Sequence, residues 1–141
     1  MSRSQGGFLI SKVHQLMGRI FNRLLRKHGI EFNSAQGRIL FVLWERDNIS
    51  ISELSEKTQL SKSTLTSMLD RLEEGGHIFR ESSNIDRRVT LIKLTEENKR
   101  QKCLYEKVSD EMTQLFYLGF TQPEILEFED YLQRVLVNLQ N

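Results

Sequence analysis

The side chains with most to offer chemically are two arginines and a set of hydroxyls. Arg87 and Arg88 follow Asp86 in a polar stretch, residues 82–88, between two runs rich in β-branched or aromatic residues, 78–81 and 89–94. That pattern reads as a hairpin with its loop in the middle. Guanidinium groups on a narrow projecting loop can enter a DNA minor groove, whose negative potential rises as it narrows. For an isolated arginine pair, a solvated charged turn is the alternative. Upstream, Leu65, Met68, Leu69 and Leu72 are spaced i, i+3, i+4, i+7 and leave Lys62, Ser63, Thr66, Ser67, Asp70 and Arg71 outside the apolar stripe. A helix that enters a major groove about 12 Å wide must be free of bulky groups on its outer side, and Ser63, Thr66 and Ser67 meet that demand while offering hydroxyls to bases or phosphates. Amides at its N-terminus also attract phosphate. Taken without the hairpin, the same residues equally suit a solvated surface helix.

Other reactive groups are sparse. Cys103 is the single cysteine, with Lys99 and Lys107 at helical spacing on either side; a sensing thiol needs a lowered pKa and solvent access, and an unreactive, core-packing cysteine is the competing reading. His14, His28 and His77 are far apart and no pair has the spacing of a metal-binding helix or finger, so no metal is expected. Phosphate-loop, dinucleotide, nucleophile-elbow and Cys-x-x-Cys patterns do not occur, and neither an enzyme nor a cofactor is expected. Phe21, Phe41, Trp44, Phe116 and Phe128 fall on apolar helical stripes and read as core or interface residues.

These residues need elements to position them. Apolar side chains at Leu9, Val13, Leu16, Ile20 and Leu24 predict a long first helix over residues 9–25, and Gly29 stands where helices stop. Asn33 with Gln36 predicts a capped second helix ending near Asp47 and Asn48. Ser50 with Glu53 opens a short third helix to Thr58, and Gln59 with Leu60 leaves room only for a tight turn before Ser61 caps the fourth helix, which Gly75 and Gly76 end. After the hairpin, Thr95 caps a fifth helix to about Phe116. Gly119 breaks the pattern, and Thr121, Pro123 and Glu124 open a sixth helix in which Ile125, Phe128, Leu132, Val135 and Leu139 make a helix-packing seam. The order of helix, tight turn, small-faced helix and hairpin is a winged helix-turn-helix. The expected fold is mainly α with a small β-hairpin, a winged helix-turn-helix flanked by N- and C-terminal helices whose apolar faces are too extensive for a small domain to bury alone.

Size and composition bound this reading. With 141 residues, 38% hydrophobic, 28% charged, one Pro and eight Gly, the chain is a soluble globular protein of one domain. A lone cysteine excludes a disulfide scaffold, no apolar run reaches the roughly eighteen residues of a membrane span, and charges crowd the short apolar stretch near the start, so a cytoplasmic protein is expected. Net charge is only +1, but residues 1–30 hold six basic and no acidic residues, and residues 121–141 hold four acidic residues against Arg134. The segment from 62 to 93 counts six basic against five acidic residues, so charge alone does not announce a nucleic-acid binder, and a winged-helix module that binds protein instead of DNA remains the rival.

The segment LSKSTLTSMLDRLEEGGHIFR followed by DRRVTLIKLTEENK resembles the MarR family of bacterial transcriptional regulators. The likeness extends over the whole chain in length and helix order. It implies a single MarR-like domain over 1–141, with a DNA-binding lobe at about 33–94 and dimerisation helices at about 7–28 and 95–141. It also implies a homodimer, in keeping with the seam from Ile125 to Leu139 and the apolar face from Leu9 to Leu24, acting as a repressor on a pseudo-palindromic operator in double-stranded DNA. By motif position Ser61, Lys62, Ser63, Thr64, Thr66, Ser67 and Arg71 lie on or beside the DNA-facing helix, and Arg87 or Arg88 is the wing arginine. Ser83 and Asn84 depart from the Asp-Pro that many relatives carry in the loop. Relatives often bind small aromatic or phenolic ligands, which points by rough position to His14, Met17, Phe21 and Trp44 as lining residues, with core packing as their other role. Peroxide-sensing relatives carry the reactive cysteine near the first helix, where this chain has none, so Cys103 is not expected to be a switch.

Overall fold

The computed structural model describes residues 3–141. The chain forms two units, one running to Val108 and the other covering Ser109–Asn141. Six helices and three strands follow in the order α1 (Gly6–Lys27), α2 (Ser34–Glu45), β1 (Ile49–Ser50), α3 (Ile51–Thr58), α4 (Lys62–Glu74), β2 (Ile78–Ser82), β3 (Thr90–Leu94), α5 (Glu96–Phe116) and α6 (Gln122–Gln140).

Helix boundaries follow local chemistry. Beyond Lys27 the backbone turns left-handed at Gly29 (φ 74°), and the Ile30 amide returns to the Leu25 carbonyl at 2.9 Å, which satisfies an orphan carbonyl and buries Ile30. Asn33 and Gln36 exchange side-chain and backbone hydrogen bonds, both at 2.9 Å, and so open α2. Ser50 caps α3 and Ser61 caps α4 through the Glu53 and Thr64 amides. The Asn98 amide donates to Thr95 Oγ1 at 3.1 Å at the start of α5.

The hairpin forms as its β-branched residues require, with Ile78 opposite Leu94 and Ser82 opposite Thr90. A third strand was not expected. Asn48 adopts φ 62°, reversing the chain so that Ile49 pairs with Ile92, and the sheet order becomes β1-β3-β2. Two residues are too few to show the alternation that marks a strand in sequence.

The core of the first unit is built from Leu25, Ile30, Phe32, Ile39, Leu40, Leu43, Leu54, Leu65, Leu69, Leu72, Ile78, Ile92 and Val108, all buried. The stripe expected for α4 is the stripe it buries, with Met68 only half-buried beside it. Three rings pack around Tyr105: Phe21 edge-on at 5.7 Å, Phe32 at 5.7 Å and Trp44 at 4.8 Å between centroids, and Phe32 also stands edge-on to His77 at 5.3 Å. Tyr105 also explains Gly37, because a Cβ there would lie 3.0 Å from Cε2 and from the hydroxyl of that ring. Tyr105 is buried and packed against three rings, so giving way disturbs those contacts. Gly37→Ala is therefore expected to lower stability by about 1–3 kcal/mol despite the better helix propensity of alanine, a loss readable as a shift of the urea midpoint at unchanged slope.

A polar relay crosses this core. The Trp44 indole N–H donates to Asn98 Oδ1 at 2.9 Å, and Asn98 Nδ2 lies 2.9 Å from His77 Nδ1. Because the indole nitrogen can only donate, it fixes the Asn98 amide with its NH2 toward His77, so Nδ1 accepts and the imidazole is neutral with its proton on Nε2. Burial of the ring lowers the His77 pKa from its ordinary value, opposed by the nearby carboxylates Glu31 and Glu97.

In the second unit, the Thr121–Glu124 capping box and Pro123 open α6 as expected. Phe116, Tyr117, Phe120 and Phe128 form a ring cluster, and the Tyr117 hydroxyl donates to Glu129 at 2.6 Å, so its pKa is pushed up to about 12 by desolvation and that carboxylate. Every residue from Tyr131 to the C-terminus is exposed, including Leu132, Val135, Leu136, Val137 and Leu139. Phe8, Leu9, Ile10, Val13 and Leu16 of α1 are exposed as well. Among the described residues no helix is long and apolar enough to cross a membrane.

Candidate nucleic-acid interface

The turn between α3 and α4 is held by side chains. Thr58, buried, donates to the Leu54 carbonyl at 2.8 Å, Ser55 donates to the Leu60 carbonyl at 2.6 Å, and Gln59 takes the left-handed conformation (φ 59°) that reverses the chain. This sets the start of α4 with its amides free of the core. Lys62, Ser63, Thr66, Ser67, Asp70 and Arg71 are exposed, as the stripe requires.

The hydroxyls differ in what they have left to offer. The Ser61 hydroxyl donates to Thr64 Oγ1 at 3.0 Å, accepts the Thr64 amide and lies 3.3 Å from the Ser63 hydroxyl, so Ser61, Ser63 and Thr64 together build the helix cap. Thr66 donates back to the Lys62 carbonyl at 2.7 Å, leaving lone pairs but no proton for a base. Among the described residues Ser67 has no partner and keeps both functions.

The wing is braced. Ser83 Oγ accepts the amides of Ile85 (3.2 Å) and Asp86 (3.3 Å), while Ser83 N–H and Val89 N–H donate to the Val89 and Asp86 carbonyls. Asp86 grips Arg88 through Nε and Nη2, both at 3.0 Å, yet the Arg88 side chain stays 90% exposed. The hydrogen bonds from Arg88 hold the Asp86 carboxyl below its usual range and keep Arg88 protonated. Ser83 thus fixes the loop through a side-chain acceptor.

Residues distant in sequence meet here. Ser50 and Ser52 at the start of α3, Lys62 at the start of α4, and Arg88, Val89 and Thr90 of the wing line one depression of about 370 Å³ with no carboxylate in its wall. Sequence reasoning missed Ser50 and Ser52, and the available signal was the capping role of Ser50, which places the α3 N-terminus beside that of α4. Ion pairing also resolves the neutral charge count of this segment. Asp70 is paired with Arg80, Glu81 with Lys93 and Asp86 with Arg88, whereas Lys62, Arg71 and Arg87 form no ion pair among the described residues. The exposed cations outweigh the carboxylates left free to oppose them.

The other sequence-selected residues fall apart. Phe21 and Trp44 both touch Tyr105, while His14 is exposed and Met17 half-buried. Phe41 is also half exposed, so its stripe is not wholly core. Cys103 lies exposed on α5. Among the described residues no group of three His, Cys, Asp or Glu side chains is placed to hold a metal ion.

A capped helix-turn-helix followed by a braced, arginine-bearing hairpin defines a winged-helix DNA-binding protein. A family model described as the MarR family matches residues 32–90. The chain is 36% identical over 103 residues to the organic hydroperoxide resistance transcriptional regulator of Bacillus subtilis, covering 73% of this chain and 67% of that protein. It is 29% identical over 133 residues to the transcriptional repressor IacR of Pseudomonas putida, covering 94% of this chain and 78% of that one. Its fold is similar to a MarR variant from E. coli solved in complex with operator DNA, at a TM-score of 0.84 and 28% identity with 92% of each chain covered. The chain belongs to the MarR family and is a DNA-binding transcriptional regulator.

Proposed function

We propose that the protein is a homodimeric repressor that holds a pseudo-palindromic operator by α4 in the major groove and by the wing in the adjacent minor groove. The observation that carries this is the carboxylate-free depression where α3, α4 and the wing meet: the hydroxyls of Ser50, Ser52 and Thr90 and the cations Lys62 and Arg88 converge on one surface suited to a DNA strand and its groove edge. Ser67 and Thr66 face base edges, Lys62 and Arg71 take phosphates, and Ser61, Ser63 and Thr64 hold the helix start in register. Arg88, pre-oriented by Asp86 at little further entropic cost, enters the minor groove, and Arg87 binds phosphate. Two protomers place half-sites about 10 base pairs apart, centre to centre.

Selection from random duplexes, followed by salt-dependent binding of variants, tests the assignment. Ser67→Ala is expected to change the preferred base at one operator position by on the order of 1–2 kcal/mol. Arg87→Ala is expected to weaken binding to all sequences and to lower the salt slope by about one unit. Arg88→Ala should lose on the order of ten-fold or more, and Asp86→Ala only a few-fold, because the latter frees the guanidinium without removing it. Equal losses in all three wing variants would refute the division of labour.

Release from the operator by a small aromatic or phenolic effector is part of the same proposal. The packing of Phe21 and Trp44 against Tyr105 is the support for an aromatic site there, with His14 and Met17 on the same helix as Phe21. Catalysis has no place in this reading, and the protein acts in the cytoplasm on chromosomal DNA.

A further inference from the structure

We infer that Ile85, at the tip of the wing, is an apolar probe that enters the minor groove beside the clamped arginine and makes binding sensitive to how easily the base step there unstacks. The inference rests on the DNA-binding reading above and adds a determinant of sequence preference to it. Ile85 is 99% exposed and is the only apolar side chain in residues 82–88. An exposed isoleucine on an ordinary surface means little. At this position it tops a loop whose shape is fixed: its own amide and that of Asp86 are both bound to Ser83 Oγ, and the Ser83–Val89 and Asp86–Arg88 contacts close the loop beneath it. Ile85 cannot fold back onto the strands without breaking those bonds. The wing therefore presents a preformed, β-branched apolar tip two residues before Arg87 and three before the clamped Arg88.

Such a side chain has no hydrogen bond to give a base. What it gains in the groove is burial, and it gains most where a base step opens to receive it. Apolar wedges of this kind partly unstack the step they enter and bend the duplex toward the major groove. Pyrimidine–purine steps open more easily than A-tract steps, so the energy of opening becomes a sequence preference at a position that no polar group reads.

The test uses the full-length protein and operator duplexes differing only in the step under the wing, TpA against ApA. Binding is measured at several salt concentrations, and the bend by energy transfer between labelled duplex ends. The wild type is expected to favour TpA by roughly five- to ten-fold and to bend it more. Ile85→Ser should remove that preference and most of the bend at the wild-type salt slope, since no phosphate contact is lost, while Ile85→Leu should keep both. If Ile85→Ser discriminates and bends as the wild type does, the inference fails while the DNA-binding reading stands. If the wild type selects no duplex at all, that reading fails and takes the inference with it.

Discussion

Replacing Leu132 and Val135 together with aspartate is expected to convert the protein to a monomer and to reduce operator affinity by 10²- to 10⁴-fold. The exposed apolar side chains of α6 recur at three- and four-residue steps from Leu132 through Leu139, a pattern that leads to burial against another helix and that the described chain leaves in water. The exposed face of α1 from Phe8 to Leu16 has the same character. In a two-fold interface each substitution appears twice, so the double variant sets four carboxylates where apolar surface would close, and each unpaired buried charge costs several kcal/mol. DNA binding falls with assembly because the second half-site is held through the first, and a linked second contact is worth roughly 10²- to 10⁴-fold. Sedimentation gives the oligomeric state, fluorescence anisotropy at fixed salt gives the affinity, and circular dichroism confirms that the helices remain. A wild type that sediments as a monomer at micromolar concentration, or a double variant that stays dimeric, would place the function of these faces elsewhere.

Much of the fold was legible because short-range chemistry marks it. Capping pairs at Asn33 and Gln36, Ser50 and Glu53, and Thr121 and Glu124 each set a helix start within a residue or two, since the first amides of a helix need acceptors and few side chains supply them. The α4 stripe was equally clear, because one helix face packs on the core and the other must not. Strand β1 escaped notice, as its two residues pair only through a left-handed turn at Asn48 and a partner more than forty residues away. Long-range pairing of that kind leaves almost no local trace.

The DNA-facing surface was legible as a set of residue types but not as a division of roles. Motif position, by resemblance to the family, placed Ser61, Ser63, Thr64, Thr66 and Ser67 in one group. Only the hydrogen bonds separate the three that build the cap from Thr66, bonded back to its own helix, and from Ser67, which is free. Likewise the count of six basic against five acidic residues hid the fact that three carboxylates are taken up by Arg80, Arg88 and Lys93. His77 read in sequence as an isolated histidine; its relay to Trp44 runs through Asn98 on a helix that follows the hairpin.

That relay leads to the second large effect, a loss of stability in Asn98→Ala and an acid-dependent loss in the wild type that His77 controls. Asn98 is wholly buried and serves two partners at once, accepting from Trp44 and donating to His77. Alanine would leave an indole donor and an imidazole acceptor without protein partners in or near the core, at a cost of about 2–4 kcal/mol, or roughly 8–15 °C in Tm. The pH dependence follows from the lowered pKa of His77. Unfolded, His77 titrates near its ordinary value of 6.5; folded, burial holds it lower, against the opposing pull of Glu31 and Glu97. Between those two pKa values the unfolded chain binds a proton that the folded chain refuses, so this contribution to stability is fully present above about pH 6.5 and declines as pH falls toward the folded pKa. One such group sets a slope of at most about 1.4 kcal/mol per pH unit. Protonation would also turn Nδ1 into a donor facing the Asn98 NH2, and the amide cannot rotate to relieve the clash without setting its NH2 against the Trp44 indole. Denaturant titrations from pH 7.5 to 5 should show wild-type stability falling more steeply than that of His77→Leu, which retains the other histidines but not this one. Parallel curves for the two proteins would show that His77 takes up its proton as readily in the folded chain as in the unfolded one, and the directional relay would have to be abandoned.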